Sequence, residues 1–108
     1  MKPNLQDLLK QAQQMQAKLE QFQEKFLEKT VTEETGGGLV KVTVNGKREI
    51  VELFIDKELI NPEEKEMLED LIIAAVNKAL SSIQKMYDEE MANFTKGMIP
   101  PGLNIPGF

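Results

Sequence analysis

The apolar positions of the first thirty residues recur at alternating steps of three and four. They are Leu5, Leu8, Ala12, Met15, Leu19, Phe22 and Phe26. This spacing is typical of a heptad, in which a narrow stripe of an α-helix packs against a neighbouring surface. Asn4 is a suitable N-cap for this helix, which we predict over residues 4–29. Two uses of the stripe remain open: packing on the core of the same chain, or projecting beyond it to pair with another chain.

The middle of the chain has a period of two instead. The alternating aliphatic residues are Val40, Val42, Val44, Val51, Leu53 and Ile55. Alternation indicates β-strands, and the dipeptide Asn45-Gly46 between the two runs indicates a hairpin with a two-residue type I′ turn. Such a turn pairs Val40 with Val51, which would place all six aliphatic residues on one core-facing side.

The opposite side of the predicted hairpin is too apolar for a fully solvated surface, because it carries Leu39, Ile50 and Phe54. We therefore predict these three residues as candidates for an interface with a second copy of the chain. Residues 29–35 predict a further strand, so that the strands occupy residues 30–55. Gly36-Gly37-Gly38 fits a hairpin loop better than a phosphate-binding loop, because a strand and not a helix follows it.

The last regular segment predicts a long helix over residues 62–96. Asn61 is its N-cap, Pro62 is its first residue, and a wide apolar stripe runs from Leu68 to Tyr87. The tail, residues 97–108, is rich in Pro and Gly yet apolar, which is not the composition of a solvating segment. Docking of its apolar residues on the same subunit or on a neighbouring one remains open; they are Leu103, Ile105 and Phe108.

These elements predict an α+β fold in the order α-β-β-β-α, with a three-stranded antiparallel sheet and two long helices. Residues 1–96 form a single domain and residues 97–108 a tail. Both predicted helices are longer than the sheet can cover, and both keep apolar spacing to their ends. A two-fold homodimer would bury that surface, so we predict one.

Composition narrows the classes of function. The chain has no Cys and no His, which removes the commonest nucleophile–base pairs and metal ligands. The acidic residues near residue 63 suit the start of a helix better than a metal site. We expect no enzyme, no metal, no cofactor and no small-molecule substrate. No apolar stretch approaches the length of a membrane span, so we expect no membrane partner and a cytoplasmic protein.

Several segments resemble the YbaB/EbfC family of bacterial nucleoid-associated proteins. The resemblance lies in residues 37–46 of the hairpin, in residues 70–79 of the second helix, in the Gln- and Met-rich first helix and in the tail. It covers essentially the whole chain. It implies a homodimer shaped like tweezers that binds double-stranded DNA, resides in the nucleoid and takes part in DNA compaction, gene regulation or repair. It also implies a non-enzymatic protein whose DNA-binding surface lies on protruding helical arms.

Charge gives the only guide to individual DNA-binding residues. The net charge of −5 weighs against nucleic acid, but residues 1–29 sum to +1, whereas residues 30–60 sum to −2 and residues 61–96 to −4. The predicted DNA-binding residues are Lys2, Lys10, Gln14, Lys18, Lys25 and Lys29. A second candidate patch lies near the hairpin turn and comprises Lys41, Lys47 and Arg48. An alternative hypothesis is a protein-interaction module, in which the heptad and the tail dock a replication or recombination factor.

Overall fold

The computed structural model describes residues 4–98, so Lys2 and the predicted tail beyond Met98 lie outside the described residues. The predicted α-β-β-β-α order is confirmed. The elements are helix α1 (Leu5–Leu27), strands β1 (Thr30–Thr35), β2 (Val40–Asn45) and β3 (Ile50–Ile55), two short 3-10 turns (Lys57–Leu59 and Pro62–Glu64), and helix α2 (Lys65–Met98). The strands form one antiparallel sheet in the order β1-β2-β3.

Both predicted caps form, but only α1 begins directly after its cap; α2 begins at Lys65, three residues later than predicted, after the 3-10 turn Pro62–Glu64. The side chain of Asn4 accepts a hydrogen bond from the backbone N–H of Asp7 at 2.8 Å, which satisfies one free donor of the first turn of α1. Asn61 does the same for the N–H of Glu64 at 3.1 Å, and the first turn after it is a 3-10 turn. The ends differ slightly from the prediction: α1 stops two residues early, and α2 continues through Gly97 to Met98.

The predicted two-residue turn between β2 and β3 is wrong. The N–H of Asn45 donates to the carbonyl of Glu49 at 3.0 Å, and the N–H of Arg48 donates to the carbonyl of Asn45 at 2.9 Å. Arg48, and not Gly46, has the left-handed backbone, with φ of 63°. These features define a three-residue loop that ends in a left-handed residue. The side-chain oxygen of Asn45 favours it by accepting from the N–H groups of Lys47 and Glu49.

The longer loop changes the strand register. Val40 lies opposite Ile55 and not Val51, and a β-bulge next to Val44 brings Ile50 opposite that residue. Because cross-strand partners share a side of the sheet, Ile50 lies on the side of the buried valines and Phe54, opposite Lys41, lies on the other side. The prediction that Ile50 and Phe54 share one side is therefore wrong.

The core lies between α2 and the first two strands. Its fully buried members, at 0% exposure, are Val40, Val42, Val44, Ala75, Ala79 and Ile83. Because α2 packs over β1 and β2, it leaves β3 largely uncovered. The predicted core residues Val51 and Leu53 are accordingly 54% and 49% exposed. Their predicted burial is wrong, although Ile55 does pack against the core.

Helix α1 packs on the second half of α2 and projects away from the sheet. Its contact is an aromatic cluster of Phe22, Phe26, Tyr87 and Phe94, with ring centroids 5.0–6.5 Å apart. Phe26 is the buried residue of α1, whereas Leu5 near its start is 72% exposed. The end of the heptad near Phe26 therefore packs on the core of the same chain, and its beginning projects beyond that core; pairing with another chain stays a prediction. We call residues 5–27 of α1 and 84–98 of α2 the arm.

The arm makes the chain elongated. The Cα radius of gyration is 20.9 Å, against about 13 Å for a compact domain of this length. The Cα atoms extend 75 Å along the longest axis. Among residues 4–98, no helix is both long enough and apolar enough to cross a membrane.

Candidate nucleic-acid interface

The exposed surface of α1 carries a basic side. Lys18 and Lys25 are seven residues apart, which brings them within about 20° of each other around the helix axis. Together with Gln21 they line a shallow groove of about 260 Å³ next to Phe22 and Phe94. We define the basic side of α1 by the exposed residues Lys10, Gln14, Lys18, Gln21 and Lys25.

Most of the acidic residues of α1 lie elsewhere around the helix. Glu20 and Glu24 line a different groove, of about 610 Å³, which also contacts Arg48 and Tyr87. They are separated from Lys18 by about 120–160° around the axis. Two exposed carboxylates are exceptions: Asp7 precedes Lys10 by three residues, and Glu28, the C-cap of α1, follows Lys25 by three, so each offsets part of the charge of its lysine. An approaching anion therefore meets positive charge along the Lys18–Lys25 stretch, even though α1 as a whole is neutral.

The spacing of the lysines suits a linear polyanion. Lys10 and Lys18 are about 12 Å apart along the helix axis, and Lys18 and Lys25 about 10 Å. A DNA strand carries one phosphate per about 3.4 Å of duplex axis, so each lysine can meet a different phosphate. All three side chains belong to exposed residues, which keeps the desolvation cost of a phosphate contact low. The intervening glutamines, Gln14 and Gln21, can donate hydrogen bonds to the same strand.

Lys29 does not belong to the basic side. It follows the end of α1, and its ammonium group forms an ion pair with the carboxylate of Glu90 on α2. Its charge is therefore compensated within the chain. Sequence reasoning missed Glu90 as a partner because 61 residues separate the pair, and only the antiparallel packing of α1 on α2 brings them together.

The structure places the three residues of the second candidate patch in different environments. Lys41 lies on the side of the sheet away from α2, with its ammonium 5.7 Å from the centroid of the Phe54 ring. Arg48 donates to the side-chain oxygen of Gln84 at 2.5 Å and lies 5.7 Å from the centroid of the Tyr87 ring. Lys47 is exposed in the loop that joins β2 to β3. Arg48 therefore fastens the hairpin loop to the arm.

Strand β3, which α2 does not cover, exposes several apolar side chains. Ile50 and Phe54 are 52% and 47% exposed, so two of the three predicted interface residues are accessible. Leu39, the third, is half-buried and packs against the core. Val51 and Leu53 join the exposed surface, which the sequence did not predict because their alternation resembled that of a buried strand.

Comparison with known proteins gives consistent results. The model of the YbaB/EbfC DNA-binding family matches residues 1–98. The chain is 44% identical over 100 residues to a nucleoid-associated protein of Caldanaerobacter subterraneus subsp. tengcongensis, covering 93% of this chain and 90% of that protein. It is 46% identical over 101 residues to a nucleoid-associated protein of Bartonella bacilliformis, covering 93% and 94%.

A similar structure is also known. The crystal structure of an uncharacterized protein from Helicobacter pylori matches with a TM-score of 0.72 at 26% identity. The match covers 87% of this chain and 99% of the other. The overall fold thus recurs in a protein that shares only 26% of its sequence with this chain.

Proposed function

Because the chain belongs to the YbaB/EbfC DNA-binding family, we propose that it is a nucleoid-associated protein that binds duplex DNA through the basic side of α1. The observation that carries this proposal is the exposed Lys18–Lys25 stretch on a projecting helix, from which Glu20 and Glu24 are turned away. The net charge of −5 does not prevent this binding, because phosphate contacts depend on the charge near the contact and not on the total charge of the chain.

Contacts to phosphates position a protein on DNA but carry no sequence information. Lys10, Lys18 and Lys25 are of this type. Gln14 and Gln21 can add hydrogen bonds to phosphates or to base edges, where an amide pairs best with adenine. A basic side with three cations and no recognition helix supports weak sequence preference or a preference for DNA shape. Such binding suits nucleoid organisation, gene regulation or DNA repair in the cytoplasm.

The proposal includes a homodimer, which the uncovered β3 supports. Its outer edge presents backbone N–H and C=O groups that β2 does not use, and four exposed apolar side chains accompany them. These side chains are Ile50, Val51, Leu53 and Phe54. An edge strand of this kind favours pairing with a second copy. The dimer would carry two arms and so double the number of lysines that one duplex contacts.

The test is a fluorescence anisotropy titration of labelled duplex DNA at low salt. The triple variant Lys10→Glu, Lys18→Glu, Lys25→Glu should lose most of its affinity, because six repulsive charges per dimer replace six attractive ones. Circular dichroism should remain unchanged, since all three residues are exposed. Wild-type affinity in the triple variant would show that DNA contacts another surface.

A second candidate function is favoured by one observation. Leu5 and Leu9, near the start of α1, are 72% and 56% exposed. This surface supports the protein-interaction module, with a replication or recombination protein as partner. A pull-down from nuclease-treated lysate would separate the two functions: a stoichiometric partner that survives nuclease supports the module, and loss of every partner counts against it.

A further inference from the structure

An apolar groove runs between the two helices of the arm. It is lined by Met15, Gln16, Leu19, Met91, Phe94 and Thr95, and its volume is about 340 Å³. The hydroxyl of Thr95 donates to the carbonyl of Met91 at 2.8 Å, so it is already satisfied within α2. The groove therefore offers an occupant apolar contact and almost no hydrogen bonding. Its size suits a few side chains.

The Gln16 rim of the groove lies across α1 from the lysines, whereas Phe94 separates the groove from the shallow groove beside Lys18 and Lys25. Gln16, at its rim, is two residues from both Gln14 and Lys18, which corresponds to a rotation of about 160° around the helix axis. An occupant of the groove would therefore leave the basic side of α1 free. It would also be in contact with both helices of the arm at once.

The chain itself continues from the end of this groove. Helix α2 runs to Met98, less than one turn beyond Thr95, and ten more residues follow. None of these ten is charged, and their apolar members are Ile99, Leu103, Ile105 and Phe108. We propose that residues 105–108 fold back in cis into the groove of the same chain, with Ile105 and Phe108 as the inserted side chains.

The length and the turn chemistry of this segment support the proposal. Returning from Met98 to the level of Met91 requires about 10 Å along α2, whereas ten extended residues span about 33 Å. Pro101-Gly102 suits the two central positions of a type II turn, which would reverse the chain just beyond α2. After such a turn, the remaining residues are enough in number for Ile105 to reach the end of α2 and for Phe108 to reach the level of Met91.

The spacing of the two inserted residues also fits. Pro106 favours the polyproline II conformation, which has three residues per turn. Residues 105 and 108 then point to the same side of the segment. Docking in cis is favoured over docking on another molecule because the covalent connection gives a local concentration in the millimolar range. The inference does not depend on DNA binding.

The absence of cysteine from the sequence allows a direct test by disulfide trapping. Gly107→Cys in the tail is combined with Gln16→Cys at the rim of the groove or, as the matched control, with Gln14→Cys on the opposite side of α1. Both glutamines are exposed and nearly equidistant from residue 107 in sequence. We expect the Gln16→Cys pair to close an intramolecular disulfide about ten-fold faster under mild oxidation.

The outcomes are separable on a non-reducing gel. Equal closure rates for the two pairs, or faster closure of the Gln14→Cys pair, would overturn the proposal. Rapid formation of covalent dimers by the Gln16→Cys pair would also overturn it, since the tail would then occupy the groove of a second copy. Adding Ile105→Asn and Phe108→Ser should reduce the Gln16→Cys rate to that of the control, and a rate that stays high would contradict insertion of these side chains.

Discussion

Replacing two lysines of the basic side by glutamine should change the salt dependence of DNA binding by a calculable amount. The variant is Lys18→Gln, Lys25→Gln, which removes charge without adding repulsion and keeps a good helix former at both positions. If each arm of the dimer contributes Lys10, Lys18 and Lys25, six phosphate contacts form. The slope of log K against log salt is then about −5.4, from about −0.9 for each contact. The variant keeps two contacts, so its slope should be about −1.8.

The difference in affinity is large enough to measure by anisotropy. Between about 50 and 200 mM salt, six contacts lose about a thousand-fold in affinity, and two contacts lose about ten-fold. The matched control is Lys57→Gln, Lys65→Gln, which changes the net charge equally but alters two exposed lysines near the start of α2. A variant slope equal to that of the wild type, or an equal change in the control, would refute the assignment of phosphate contacts to this side of α1.

Three further predictions test other parts of the structure. Lys29→Gln should leave the salt slope of DNA binding unchanged, because Glu90 already compensates this charge; a slope reduced by about 1 would contradict that. Gly46→Ala should destabilise the fold by about 1–3 kcal/mol in urea unfolding, because the added Cβ would lie 1.9 Å from the carbonyl oxygen of Phe26. Gly97→Ala, with nothing within 4 Å, should instead be neutral or stabilising. Leu53→Asp on β3 should give a folded monomer by light scattering. The control Met67→Asp on α2 should stay dimeric, although Met67 is 50% exposed and Leu53 49%. A dimeric Leu53→Asp variant would exclude β3 as the interface.

The helices could be predicted well because their signals are local. Asn4 caps α1 and Asn61 caps the 3-10 turn before α2, each through a bond to an N–H only three positions away, so the local four-residue context suffices to locate both caps. The heptad of α1 likewise follows from spacing alone. The same argument explains the confirmed order of elements, since each change of period occurs within a few residues.

The hairpin was harder to predict because two local signals compete at one loop. Asn45-Gly46 suits a type I′ turn, yet the side chain of Asn45 instead accepts from two backbone N–H groups and favours a longer loop. Gly46 is required by its close approach to the backbone of Phe26, which lies 20 residues earlier and cannot be inferred from the turn itself. The altered register then reassigned Ile50 to the other side of the sheet.

The sequence by itself determined the type, the order and the caps of the elements, and it showed that residues 1–29 are the least acidic part of the chain. Periodicity and capping act between neighbours along the chain, which is why they can be read without a structure. Only the tertiary structure decided which lysines are free, because the packing of α1 on α2 pairs Lys29 with Glu90 and leaves Lys18 and Lys25 exposed. It also decided that β3 is uncovered, since burial depends on which strands α2 crosses and not on the pattern within the strand.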